Sequence, residues 1–307
     1  MKSKKIIIGS RGSKLALIYA EKAKEKILNI SSEFGIDSVE IKKITTTGDL
    51  NQKDRLSEIG GKGLFLKQIE KELLENKIHI AVHALKDMPS DETEGLVTNC
   101  FLERNDPREV LISKNKIKFE DLNKNSTIGT SSFRREFQLK QKRSDLNYKL
   151  IRGNVDTRIK KLNENLYDAI ILSLAGINSL KLNKHISEIF STDKIIPSVG
   201  QGVIALQCKS DDEYIKNILK KLNDEKTFKS AQAERNVLKV LEGDCETAVG
   251  ALSTINKQNI TLEAELFSLD GKERFYCKSS KDIRQATELG MEIGENLKKQ
   301  SKGSYKK

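Results

Sequence analysis

The sequence predicts an α/β protein with mostly parallel sheets and helices on both sheet faces, followed by a smaller α+β region. Short apolar runs alternate with amphipathic helical patterns through most of the chain, and one strand, turn and helix unit occurs twice. Near residue 224 the pattern changes to a hairpin and a closing helix. At 307 residues the chain exceeds one typical core, so two or three domains are expected.

The first strand-turn-helix unit opens the chain. Residues 5–9 (KIIIG) predict a short buried strand, and the apolar residues after Ser13 have helical spacing, with Ser13 as a plausible N-cap. The next predicted elements are a strand over 39–45, a flexible loop over 60–63, a helix over 64–75 and a buried strand over 78–82. That last strand runs into Lys86, Asp87 and Pro89.

The same pattern begins again at Val110. Residues 110–113 (VLIS) predict a strand, and residues 126–143 predict a strand, a Ser/Thr turn and a helix. The elements predicted after them are strands over 149–152 and 169–172, a helix over 155–163, a turn-rich break at 197–202 before the apolar run 203–208, and a helical run over 213–241. In the tail the pattern predicts strands over 260–267 and 274–280 around an Asp270-Gly271 turn, and a helix over 287–298.

The composition excludes several classes of protein. A hydrophobic share of 37% with 32% charged residues is typical of a globular chain. The N-terminal apolar run is too short for a signal sequence, and no run approaches a membrane span, so a cytoplasmic protein without membrane contacts is expected. The four cysteines are far apart and show no CxxC spacing, so neither a zinc site nor a disulfide scaffold is indicated.

The net charge of +11 has two possible explanations, a nucleic-acid surface or sites for small polyanions. Much of the lysine lies in polar or terminal stretches, where solvated charge is the ordinary interpretation. Several arginines instead lie near Gly, Ser or Thr where strands end, and arginine suits bidentate binding of carboxylates. These are Arg11, Arg134, Arg135, Arg152 and Arg158.

Both strand-turn-helix units predict anion sites, because backbone N–H groups and hydroxyls lie at helix N-termini. Simple helix capping by Ser13 and Ser131 is the competing interpretation. Neither unit matches a Walker loop or GxGxxG, so nucleotide binding is not supported. Lys86-Asp87 would lie at the C-terminal edge of a sheet, where α/β proteins form ligand crevices, although an isolated Lys-Asp pair is more often a surface ion pair.

His79 and Cys245 each permit a further hypothesis. His79 and His83 have i, i+4 spacing but lie in a strand-like run without an accompanying Glu, so no metal site is predicted. Cys245 lies in a Gly-containing acidic loop, where a thiol could be nucleophilic. Its neighbours Asp244 and Glu246 disfavour the thiolate, so a structural cysteine is the default interpretation.

Taken together, the segments closely resemble the hydroxymethylbilane synthase (porphobilinogen deaminase) family between Ile8 and about Ser253. The matching segments, in order, are IGSRGSKLAL, TTTGD, GGKGLF, AVHALKDMP, ERNDPRE, IGTSSFRR, IRGNVDTR, DAIIL with LAG, PSVGQG and LEGDC. The resemblance implies two periplasmic-binding-protein-like, doubly wound lobes and a smaller α+β C-terminal domain. It implies domain 1 at 1–103 with 203–220, domain 2 at 107–197 and domain 3 at 224–307.

The resemblance also implies a transferase of porphyrin (heme, or tetrapyrrole) biosynthesis. Cys245 would hold a dipyrromethane cofactor through a thioether, which primes the addition of four porphobilinogen units before hydrolysis releases linear hydroxymethylbilane. Asp87 would be the catalytic carboxylate that assists loss of ammonia and stabilises cationic intermediates. The implied partners are porphobilinogen and linear polypyrrole intermediates, with no metal and no nucleic acid, and a monomer is expected.

The remaining implied roles concern carboxylate binding and a loop over the cleft. Residues matching those that bind the acetate and propionate groups are Arg11, Ser13, Lys86, Thr130, Ser131, Ser132, Arg134, Arg135, Arg152 and Arg158. The mobile loop would contain Gly60, Gly61, Lys62, Gly63 and Phe65, and Gln201 lies in the interdomain segment.

Four positions depart from the family pattern. Ala84 replaces the usual serine before the Lys-Asp pair, Ser179 replaces a common arginine, and Asp244 and Glu246 replace Gly and Gln. Lys181 could compensate for the missing arginine. These departures leave open a non-catalytic, two-lobed carboxylate-binding protein, which would bind ligands without releasing ammonia. Nucleic-acid binding, the other alternative, predicts an affinity that falls steeply with salt.

Overall fold

The computed structural model describes residues 4–46, 66–243 and 247–306. The chain divides into two compact units, one formed by Met1–Arg104 with Val203–Phe228 and the other by Asn105–Gly202 with Lys229–Lys307. The second unit contains two sheets, so it includes both the central and the C-terminal parts of the chain. The finer division into three domains stays a prediction.

The first unit is built on a five-stranded sheet of order β2-β1-β3-β10-β4. Its elements are β1 (Lys5–Arg11), α1 (Lys14–Leu28), α2 (Ser31–Phe34), β2 (Ser38–Ile44), α3 (Lys67–Leu74), β3 (Ile80–Ala84), β4 (Leu96–Phe101), β10 (Ile204–Lys209) and α7 (Glu213–Leu222). Strand β1 runs parallel to β2 and β3, whereas β10 runs antiparallel to β3 and β4. The carboxyl ends of β1 and β3 therefore meet at one sheet edge.

The central part of the second unit has a sheet of order β7-β6-β8-β5-β9. Its elements are β5 (Glu109–Ser113), β6 (Thr127–Gly129), α4 (Phe133–Lys140), β7 (Asn147–Lys149), α5 (Val155–Asn163), β8 (Ala169–Ser173), α6 (Leu174–Ser179) and β9 (Glu188–Ile189). Leu111 packs into one hydrophobic cluster, while its neighbours Val110 and Ile112 pack into another. Both sheet faces are thus buried, which confirms a doubly wound arrangement in this part.

The C-terminal part is an antiparallel sheet covered by helices. It contains α8 (Glu225–Leu241), β11 (Val249–Asn256), β12 (Asn259–Phe267), β13 (Arg274–Asp282) and α9 (Ala286–Ser301). Apolar side chains of β12, such as Leu262, share a core with Val237 of α8 and Leu289 of α9. A Cβ at Gly290 would lie 2.2 Å from the Ala233 carbonyl oxygen, so glycine permits the two helices to approach closely.

Most of the predicted elements are confirmed, and two differ. The strand predicted over 149–152 ends at Lys149, because the Leu150 and Ile151 carbonyls bind the Tyr167 and Ser131 hydroxyls instead of a neighbouring strand. The helical run over 213–241 breaks at Asn223, where Asp224 caps a new helix by accepting from the Thr227 N–H at 2.8 Å. Strands β4, β9 and β11 and the short helices α2 and α6 were not predicted. Four of the five strands in each larger sheet run in the same direction, with β10 or β5 as the one antiparallel strand, so both sheets are mostly parallel as expected.

Candidate functional site

The clearest candidate site lies at the edge of the first sheet where β1 and β3 end. Arg11 is the last residue of β1, and Asp87 lies in the short helical turn that follows β3. Together with Ser13 and His83 they line a pocket whose walls include Leu15 and other apolar side chains. The pocket therefore combines a cation, a carboxylate and hydrogen-bonding groups beside apolar surface, a combination typical of small-molecule sites.

The turn that carries Asp87 is fixed by buried neighbours. Leu85 is fully buried and its N–H donates to the Val203 carbonyl at 3.0 Å, while the buried Met88 donates its N–H to the Leu85 carbonyl at 3.1 Å. Because these two side chains point into the core, Lys86 and Asp87 between them are exposed to solvent. The fold thus presents an ammonium and a carboxylate at adjacent positions on a turn that buried neighbours anchor.

Ser13 caps α1 as predicted. Its Oγ accepts from the Ala16 N–H at 3.3 Å, and its carbonyl accepts from the Leu17 N–H at 3.0 Å. The serine therefore ends the β1 turn in an extended conformation and begins the helix beside Arg11.

A buried polar chain lies behind this pocket. His83 Nε2 lies 3.1 Å from Gln207 Oε1, Gln207 Nε2 donates to Glu70 Oε1 at 3.0 Å, and the Thr93 hydroxyl donates to the other Glu70 oxygen at 2.9 Å. Since the Gln207 amide donates to Glu70, its oxygen faces His83 and selects the tautomer protonated on Nε2. Burial lowers the pKa of His83 to about 4, so the ring is neutral at physiological pH.

His79 has a different role from His83. Its Nδ1 accepts from the Ile7 N–H at 2.9 Å, which ties the start of β3 to β1. No group of three His, Cys, Asp or Glu side chains in the described ranges is arranged to hold a metal.

The second strand-turn-helix unit follows β6 and folds differently. Ser132, not Ser131, caps α4, because its Oγ accepts from the Arg135 N–H at 3.4 Å. The Ser131 hydroxyl donates to the Ile151 carbonyl at 2.5 Å, and Thr130 is buried with its Oγ1 accepting from the Ser132 N–H at 3.2 Å. These hydroxyls shape the loop between β6 and α4.

Arg134 and Arg135 are buried around a carboxylate that the sequence analysis did not single out. Glu109, at the start of β5, is fully buried and lies 2.6 Å from Arg134 Nη2 and 2.8 Å from Arg135 Nη2. The two guanidiniums also donate to the carbonyls of Ile196 and Ile171. Their assignment to ligand carboxylates stays a prediction, and this arrangement gives it no support.

Two further predicted arginines of the second compact unit, Arg152 and Arg158, are partly exposed. Arg152 lies in the loop after β7, and its carbonyl accepts from Lys161 Nζ at 3.1 Å. Arg158 lies on α5, and its Nε donates to the carbonyl of Gly153 at 2.8 Å. Gly153 has a φ of +109°, which favours glycine, so the loop brings its carbonyl to Arg158 in a conformation few other residues adopt.

Some of the predicted site residues lie outside the described ranges. These are Cys245, Gly60, Gly61, Lys62, Gly63 and Phe65. Of the other cysteines, Cys100 and Cys208 are buried, which raises the pKa of each thiol to about 12 and keeps it protonated.

Two of the four residues that depart from the family pattern, Ala84 and Ser179, lie within the described ranges. Ala84 lines the pocket beside Asp87, so a hydroxyl at that position would face the site. The Oγ of Ser179, at the end of α6, is buried and has no hydrogen-bond partner among the described residues. Lys181, two residues later, is exposed and has a positive φ of 57°.

The sequence analysis missed a second buried carboxylate, Glu234 on α8. One of its oxygens accepts from the Gly200 N–H at 2.9 Å, and the other accepts from the N–H and hydroxyl of Ser253, each at 2.9 Å. It thus ties the 197–202 segment and β11 to α8. Its position on the buried face of a helix was the available signal.

The residues 6–217 match the sequence model of the porphobilinogen deaminase, dipyromethane cofactor binding domain, and residues 228–299 match that of the porphobilinogen deaminase C-terminal domain. Curated porphobilinogen deaminases are similar over most of their length. The Exiguobacterium protein is 40% identical over 96% of this chain and 95% of its own length. The Bacillus subtilis protein is 42% identical over 87% and 85%, respectively.

Solved structures give weaker likenesses. The BvgS periplasmic VFT2 domain of Bordetella pertussis has a TM-score of 0.43 and 12% identity, and covers 72% of this chain and 86% of that one. The Escherichia coli aliphatic sulphonate binding protein SsuA has a TM-score of 0.42 and 12% identity, over 78% and 71%. Among the residues described, no helix has the length and apolarity that a membrane span requires.

Proposed function

The chain belongs to the porphobilinogen deaminase family, and on that premise we propose that Asp87 is its catalytic carboxylate and Cys245 the anchor of its cofactor. As a member of the family it is a hydroxymethylbilane synthase, a transferase of porphyrin biosynthesis that uses a dipyrromethane cofactor. The observation that carries the Asp87 assignment is its exposure, on a turn held by backbone hydrogen bonds, in the same pocket as Arg11.

The charged groups of the pocket suit two different roles, stabilising a cation and binding carboxylates. Each condensation removes ammonia from porphobilinogen and creates positive charge on the pyrrole methylene, which an ionised carboxylate stabilises electrostatically. Asp87 presents such a carboxylate, and Arg11 with the exposed Lys86 presents cations for acetate and propionate groups. The neutral His83 adds no competing positive charge beside them.

The residues of the first unit fit a carboxylate-bearing pyrrole cofactor. The pocket combines a guanidinium, a serine hydroxyl and an apolar wall from Leu15 and Val82, which suits a flat ring that carries acidic side chains. When bound, the dipyrromethane supplies the nucleophilic pyrrole carbon that primes the chain. Arg11 and Ser13 would bind and orient its carboxylates, and Asp87 would supply a negative charge in the same pocket.

The proposed roles of Cys245 and of the 60–65 segment rest on the resemblance in sequence. By that resemblance Cys245 would carry the cofactor as a thioether. Gly60, Gly61, Lys62, Gly63 and Phe65 would form the loop over the cleft. The partly exposed Arg152 and Arg158 would bind carboxylates of the lengthening product, with Thr130, Ser131 and Ser132 shaping that surface.

The substrate, location and assembly are proposed on the family resemblance. The substrates would be porphobilinogen and linear polypyrrole intermediates, and the enzyme would be a cytoplasmic monomer. A monomer predicts a solution mass of 34.6 kDa by light scattering, whereas twice that mass would contradict it.

The Asp87 assignment is tested by the substitution Asp87→Asn, which keeps the shape of the side chain and removes its charge. Ammonia release from porphobilinogen should fall by a factor of about 10² to 10⁴, the range for a positioned acid-base group. Thermal unfolding should not change, because the carboxylate is exposed.

The matched control is Asp91→Asn, at an exposed aspartate four residues further along the chain. It should retain wild-type turnover. Retained turnover in Asp87→Asn would contradict the assigned role, and an equal loss in both variants would show that any lost charge in this region suffices.

A further inference from the structure

The C-terminal end of α8 has an unusually complete set of caps. The last four carbonyls of a helix have no partner within the helix, and here each one is bound. The Gly243 N–H donates to the Leu238 carbonyl at 3.0 Å and the Glu242 N–H to that of Lys239 at 3.1 Å, with Glu242 in the left-handed conformation at a φ of 53°. This pair of bonds is a Schellman motif.

The two carbonyls that this motif leaves are bound by the end of the chain. The Tyr305 hydroxyl donates to the Leu241 carbonyl at 3.0 Å, and Lys298 Nζ donates to the Val240 carbonyl at 3.3 Å. Tyr305 is 2% exposed, and its burial raises the pKa of the phenol, so the hydroxyl keeps its proton. Lys306 Nζ lies 2.9 Å from Glu242, so an ion pair holds the left-handed residue as well.

The position of this cluster in the sequence suggests its purpose. Gly243 is the last described residue before Cys245, so the caps fix the point from which the chain enters the Cys245 segment. Tyr305 and Lys306 lie beyond residue 299, where the match to the family's C-terminal domain ends. The Tyr305 cap therefore comes from outside the matched range, whereas Lys298 and the end of α8 lie within it.

We infer that Tyr305 and Lys298 are positioning residues that hold the end of α8 so that Cys245 can be loaded with its cofactor. The inference rests on the proposed attachment at Cys245. Tyr305 acts through the Leu241 carbonyl and Lys298 through that of Val240, so neither needs to touch the cofactor. Without them the last turn of α8 frays, as an uncapped helix end does, and the entry to the Cys245 segment is no longer fixed.

The test measures how fast each variant gains mass on Cys245. Full-length protein purified from cells that lack porphobilinogen would be incubated with hydroxymethylbilane, and intact mass would be followed under denaturing conditions. Loading joins Cys245 Sγ to the terminal methylene carbon while the hydroxyl leaves with the thiol proton as water. The readout is the first-order rate constant divided by the folded fraction of the same sample, because rapid unfolding and refolding would scale the observed rate constant by that fraction.

Tyr305→Phe removes one hydroxyl and Lys298→Met removes one ammonium. Each should slow loading about fivefold, the ratio that corresponds to one ordinary hydrogen bond. The controls are Lys299→Met, at an exposed lysine on the same helix, and Tyr276→Phe, at a 40% exposed tyrosine on β13. Both controls should load within about twofold of wild type.

Each outcome has a defined meaning. Wild-type loading rates in both Tyr305→Phe and Lys298→Met would overturn the inference, even if their melting temperatures fall, because the caps would then be purely structural. If Tyr305→Phe fails to fold, the loading rate of Lys298→Met tests the inference alone. The Lys298 side chain is 39% exposed, so its substitution should leave the protein folded. A wild-type protein that gains no mass on Cys245 would refute the proposed attachment itself.

Discussion

The two strand-turn-helix units have similar sequences but present their arginines differently. In the first strand-turn-helix motif, Arg11 is the last residue of β1 and lines a pocket with Asp87. In the second, Arg134 and Arg135 begin α4 and close on the buried Glu109. The difference is the position of the carboxylate that shares each site, since Asp87 is exposed on a turn and Glu109 is buried at the start of a strand. An arginine beside a Ser/Thr turn can therefore either face a ligand pocket or form a buried ion pair in the core.

The largest effect on stability should come from removing the charge of the buried Glu109 carboxylate. Glu109→Gln leaves two buried guanidiniums without their counter-charge, and breaking a buried ion pair in this way costs about 3–5 kcal/mol. The free energy of unfolding in urea measures this loss. The control is Glu40→Gln, which removes an exposed ion pair with Lys5 and should cost at most about 1 kcal/mol. Equal small losses would show that the Glu109 cluster is not structural.

A smaller effect should follow from titration of His83 behind the pocket. The folded pKa is about 4 and the ordinary value is 6.5, so between these values the unfolded chain binds a proton that the folded chain does not. Stability should therefore fall as the pH falls through this window, by about 2 kcal/mol between pH 7 and pH 5. Charged groups also act on the ring, because Glu70 and Asp87 raise the pKa of His83 and Arg11 lowers it.

Urea unfolding of wild type and His83→Gln at pH 7 and pH 5 measures this difference. The variant should lose about 2 kcal/mol less than wild type over that interval, because it has no imidazole to titrate. His185→Gln is the comparison, because burial and the nearby Lys184 and Lys116 also lower the pKa of this partly exposed histidine; this variant should depart from wild type in the same direction as His83→Gln but by less. A His83→Gln variant with the wild-type pH dependence would mean that His83 is not held neutral.

The smallest effect on stability should come from Arg11→Met. Removing a charge-assisted hydrogen bond to a ligand costs about 1.5–3 kcal/mol of binding, so the KM for porphobilinogen should rise at least about tenfold. Unfolding should change little, because Arg11 is partly exposed. Arg135→Met should show the opposite pattern, with a lower unfolding free energy and a KM near the wild-type value. If Arg135→Met raises the KM as Arg11→Met does, the contrast between the two units fails.

Local signals predicted much of the fold. Ser13 was predicted as a helix cap from its place before an amphipathic run, and the turn at Lys86-Asp87 from the buried strand before it, because both depend on neighbours in sequence. The strand over 149–152 was wrong because its carbonyls bind the hydroxyls of Tyr167 and Ser131, which no local pattern reveals. The pairing of Arg134 and Arg135 with Glu109 spans 25 and 26 residues, so it too depends on tertiary structure.

The central claim is that this chain carries a dipyrromethane on Cys245. Intact mass of freshly purified wild type and Cys245→Ser, measured under denaturing conditions, tests it directly, since such conditions retain covalent attachments alone. The account predicts an excess mass equal to one dipyrromethane in wild type and none in Cys245→Ser. A bare wild-type mass that persists after incubation with porphobilinogen or hydroxymethylbilane would contradict it.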